Sequence, residues 1–185
     1  PRLVLITLCL ALLVTPPTVI SQDSPSKDKL IVETLLRLKR YDVSTNDAWK
    51  DAIVRHLQTI KGTPRYLELV KTFGIRESIP ELLELAISSP TDTIGVNAVG
   101  IFFEFQQTVL LQKVIQGEDN TRALAVAQAI SLGGHPARQD VLRALVINTQ
   151  LSRQIRNVAI KGVGTTKQGQ QYLIDLLTAG RVPEE

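Results

Sequence analysis

Along nearly the whole chain, apolar residues recur at three- and four-residue spacing, and glycine or proline interrupts them about once per helix length. That period belongs to amphipathic helices, and the apolar-polar alternation of strands is absent. The pattern predicts helices over 27–40, 45–60, 64–73, 79–88, 91–105, 108–116, 121–132, 136–148, 152–163 and 167–179. Ser44 with Asp47, and Ser78 with Glu81, have capping-box spacing. Thr63-Pro64 and His135-Pro136 place proline at the first helical position. Gly74, Gly117, Gly133-Gly134, Gly164 and Gly180 stand where helices should stop.

The helices repeat in step. Leu82, Leu110, Leu142 and Leu173 align four segments at spacings of 28, 32 and 31 residues. Gly100-Ile101, Ala129-Ile130 and Gly162-Val163 align the helices between them, at spacings of 29 and 33, with Val96, Ala125 and Val158 four residues upstream. A small residue at that site would let the second helix approach its partner closely. One amphipathic pair cannot bury its own face, so stacked neighbours must complete the core. The pattern resembles HEAT-type repeats. The expected fold is all-α: a right-handed HEAT-like α-solenoid of antiparallel helix pairs over 22–185. After helix 167–179 only a turn and a helix start remain, so the array is expected to stop short of its natural C-terminal cap.

An N-terminal leader sets the expected address. Arg2 precedes the apolar run 3–14, Pro16 and Pro17 follow, and Val19-Ile20-Ser21 suits cleavage before Gln22. Twelve positions, broken only by Thr7, are too few to span about 30 Å of hydrocarbon. A signal peptide over 1–21 is therefore expected, with a periplasmic or extracellular mature chain and no permanent membrane span. Its loss leaves 164 residues with 20 basic and 18 acidic side chains and no cysteine, since Cys9 lies in the leader. Disulfides and thiolate chemistry are then excluded, and the near balance of charge argues against nucleic acid as partner.

Candidate chemistry is sparse. His56 lies on the stripe Trp49-Ile53-His56-Ile60 and reads as a packing residue; His135 reads as a helix-start residue; Trp49 and Tyr66 read as core. Gly162-Val163-Gly164-Thr165-Thr166-Lys167 does not complete a phosphate loop, and no strand precedes it. No catalytic, cofactor-binding or metal-binding residue is assigned. In helix 152–163, Ile155, Val158, Ala159 and Gly162 form the buried arc, while Arg153, Arg156, Asn157 and Lys161 occupy the other side. With Arg122 and Gln128 of the preceding repeat they are expected to form a stripe for an acidic protein partner. Phe102-Phe103-Glu104-Phe105 crowds three rings into four residues, so one ring is expected at a junction or surface groove, as an exposed apolar patch.

Three further stretches, 31–38, 61–66 and 179–184, resemble the helical-repeat region of large exported c-type cytochrome-like proteins of planctomycete bacteria. There such a region typically precedes a haem module carrying Cys-x-x-Cys-His. The mature sequence has no such motif, so the resemblance implies haem only in a C-terminal module outside these residues. Two functions are expected: a non-enzymatic exported scaffold or protein-binding module, or the helical-repeat part of a larger cytochrome or oxidoreductase.

Overall fold

A side-chain acceptor before the first turn fixes where several of these helices begin. The computed structural model describes residues 25–181, so the leader 1–21 and residues 182–185 lie outside the described residues. Among the described residues the chain is all-α, without strands. The helices are α1 (Pro25–Arg37), α2 (Asp47–Thr59), α3 (Pro64–Phe73), α4 (Ile79–Ser88), α5 (Thr93–Glu104), α6 (Thr108–Ile115), α7 (Asn120–Leu132), α8 (Arg138–Ile147), α9 (Arg153–Val163) and α10 (Lys167–Thr178), with a 3-10 turn over Arg76–Ser78.

Thr63 caps α3, accepting from the Tyr66 N–H at 3.2 Å with Pro64 in the first turn; Gly74 ends the helix at φ 64°. Asp119 and Thr166 cap α7 and α10 in the same way. The two expected capping boxes are not made. Asn46 caps α2 through the Trp49 N–H at 3.0 Å, while the Ser44 hydroxyl donates to Asp42 instead. Ser78 ends the 3-10 turn in helical geometry, where its side chain makes no cap bond. Pro136 also falls before its helix. The His135 ring accepts from the Ala137 N–H, and this turn delays α8 to Arg138.

Neighbours in sequence pack as pairs: α1 with α2, α4 with α5, α6 with α7, α8 with α9. The unpaired α3 and the second helices of the last three pairs also touch in a row, α3 on α5, α5 on α7, α7 on α9, and α10 rests on α9; α3 is counted with the second helices below. One apolar core runs from Val32 to Leu176 through all of them. At the two ends of the described chain, Leu30 and Leu38 of the first pair and Ile174 and Leu177 of α10 stay exposed.

The helix caps give the register of this row. Thr63, Asp92, Asp119 and Ser152 are equivalent starts, so Phe73, Phe102, Ala129 and Gly162, ten residues on, occupy one buried site. The residue is Phe in α3 and α5, Ala in α7 and Gly in α9, and α7 on α9 is the most extensive contact of the row. A smaller side chain lets the backbones close in. Gly100 is therefore not the counterpart of Ala129 and Gly162, as the spacing of small residues suggested. It lies two residues away, and a Cβ there would meet nothing within 4 Å. Likewise Leu111, not Leu110, is fully buried with Leu82 and Leu142.

Two other glycines do sit at close approaches. A Cβ on Gly95 would collide with the carbonyl of Ser89, and one on Gly169 with that of Val163. Both let a new helix start over the end of the previous one. The three phenylalanines are all buried, because α5 is packed against α3, α4, α6 and α7 at once, so the expected exposed patch is not formed and the rings lie at helix junctions instead. Phe103 stacks on His135 at 5.0 Å between centroids, and Arg76 lies over Phe105. Among the described residues no helix is long and apolar enough to cross a membrane.

Candidate protein-binding face

A groove of about 590 Å³ opens between α3 and α5, with the α7–α8 turn closing one end. Its floor exists because Gly100 has no side chain. Leu67, Val96 and Ile101 make it partly apolar, and Asn97 brings an exposed amide that bonds to no other described residue. Lys71 reaches from α3 to Glu104 of α5 at 2.7 Å and ties the two walls. His135 is held on the rim by its stack on Phe103.

The groove-facing positions of α5 have counterparts on α9. From equivalent caps, Val96 corresponds to Arg156, Asn97 to Asn157, Gly100 to Ile160 and Ile101 to Lys161. Asn157, Lys161 and Arg153 are exposed and Arg156 is half-buried, so α9 presents the arc that lines the groove on α5. Gln128 of α7, half-buried, is the counterpart of Lys161 on the helix between. Arg122 is differently placed. Its guanidinium forks onto Glu84 of α4 at 2.7 and 3.3 Å, and this contact holds the Glu84 carboxyl below the usual carboxylate range.

Sequence reasoning thus marked the α9 arc but missed the groove. The signal was present in Asn97, Gly100 and Ile101, hidden because Gly100 was placed at a helix seam.

A second hollow, about 560 Å³, lies beside α1 and α2 and is lined by Lys29, Glu33, His56 and Arg65. His56 is buried, as its stripe predicts, and burial pushes its pKa below the ordinary histidine value. Asp28 is also buried and takes a bidentate contact from Arg55, Nε to Oδ2 at 2.9 Å and Nη2 to Oδ1 at 2.8 Å. That contact holds its carboxyl below the usual range and locks α1 to α2. Trp49 is half-buried against α1, and Tyr66 is fully enclosed. Among the described residues no three His, Cys, Asp or Glu side chains are grouped to hold a metal ion. Comparison with family models, curated proteins and solved structures gave no match.

Proposed function

We propose that this chain is an exported, non-enzymatic protein-binding module, built as a HEAT-like right-handed solenoid whose second helices form the binding face. The observation that carries the reading is the α3–α5–α7–α9 row, which holds an open groove at one end and an exposed polar arc at matching positions at the other. A row of rigid helices offers a long surface at low reorganisation cost, which suits an extended partner. The groove mixes apolar wall with few polar groups, as recognition sites do. Export is supported by the apolar run 3–14 after Arg2 and by the cleavage pattern Val19-Ile20-Ser21.

Panning a random peptide library against the chain tests the reading. Selected peptides should protect α3 and α5 from hydrogen exchange and should lose binding to Gly100→Phe, which fills the groove. Peptides that bind Gly100→Phe as well as the parent, with protection elsewhere, would contradict it.

A further inference from the structure

Charge is divided unevenly along the array. Residues 25–132 carry 13 basic and 13 acidic side chains, whereas residues 133–181 carry 7 basic and 2 acidic. In the first part about half of the basic side chains pair with acidic ones. Lys50 pairs with Glu77, Lys61 with Glu81, Lys71 with Glu104, Arg122 with Glu84 and Arg65 with both Glu33 and Glu68. In the second part there are few acids to spend. Asp175 accepts from Gln171 on its own helix, and Asp140 stands in the first turn of α8.

The face of α9 concentrates this excess. Arg153 is already engaged within the chain. Arg156 and Lys161 make no ion pair among the described residues, and the Arg156 Nε is shut off from water with no hydrogen-bond partner. Between the two cations, near the centre of the exposed arc, Asn157 presents an amide that bonds to no other described residue.

We propose that the α9 face seats an acidic peptide segment, with carboxylates on Arg156 and Lys161 and a backbone amide on Asn157. Guanidinium and ammonium groups flanking an amide match an extended chain with acidic side chains. The arc from Arg153 to Lys161 covers only about 12 Å of helix. It has no exposed aromatic ring for stacking bases, which disfavours a polynucleotide. The proposal rests on the second-helix row being the binding face, and it names the partner's chemistry at that row's basic end.

The test is fluorescence anisotropy with a labelled deca-glutamate peptide, in low salt and at physiological ionic strength. Binding should weaken with salt. The double reversal Arg156→Glu/Lys161→Glu should weaken it by about tenfold or more, the scale of charge-pair loss at an interface. The milder Arg156→Gln/Lys161→Gln should act in the same direction with helicity unchanged. Reversing Lys29 of α1 and Lys39 in the turn after it, Lys29→Glu/Lys39→Glu, should leave affinity within about twofold, the residual effect of net charge. Equal losses from both reversals would overturn the proposal, as would tighter binding of deca-thymidylate or of phosphatidylserine vesicles. Gly100→Phe separates the two readings: retained deca-glutamate binding to that variant supports the α9 site whether or not the groove takes peptides.

Discussion

A Cβ placed on Gly162 would stand 2.8 Å from the Cβ of Ser131 and 2.9 Å from Cδ1 of Leu142. The first contact is to the preceding second helix, the second to the partner in its own pair. Gly162 is thus the point where α7, α8 and α9 converge.

Enlarging that residue should separate the helices. Gly162→Leu is expected to destabilise by about 1–3 kcal/mol through overpacking, against a gain of about 0.8 kcal/mol in helix propensity. The opposed signs make a urea-unfolding midpoint decisive. A raised midpoint would mean that Gly162 faces water.

Gly100 should behave in the opposite way. It lies inside α5, and a Cβ there meets nothing. Gly100→Ala should stabilise by about 0.5–1 kcal/mol, the usual cost of glycine within a helix. Gly169→Ala, where the added carbon meets the Val163 carbonyl, should lower the melting temperature instead. Equal shifts in both variants would refute the assigned register.

Acid should weaken the fold in two windows. Burial holds the folded His56 pKa below the ordinary 6.5. As pH falls past that value the unfolded chain gains a proton that the folded chain refuses, and stability drops. The Arg55 contact holds the folded Asp28 carboxyl below 3.8, so the stability it contributes is present above that pH and lost as pH falls through the lower folded value. His56→Gln should flatten the upper window of a stability-against-pH curve and leave the lower one. An unchanged upper window would mean that His56 titrates alike in both states.

Export makes a separate prediction about mass. The secreted chain should begin at Gln22, with residues 1–21 removed. A full-length product retained in the membrane fraction would reject the leader.

Helix positions were legible in the sequence because most have an apolar stripe or a marked end; α3 and α4 match their expected spans residue for residue. Register was less legible. In Val109-Leu110-Leu111 three neighbouring apolar residues satisfy the same period, and only packing against α7 decides that Leu111 is buried. The cap of α2 was hidden by a rival acceptor nearby: Asn46, not Ser44, takes the Trp49 N–H. The α9 arc was readable because it needs one helix alone. The groove was not, since it joins α3, α5 and the α7–α8 turn, and no local pattern reports which helices meet.

The central claim is that the second helices lie in a row and share one face. Spin labels at Glu68 of α3 and Asn157 of α9, exposed and equivalent positions three steps apart, measure it directly by pulsed dipolar spectroscopy. With packed helices about 8–10 Å apart, the row predicts a main distance of about 25–30 Å. A main distance below about 15 Å would place α3 beside α9 as in a closed bundle, and would contradict the row and the binding face built on it.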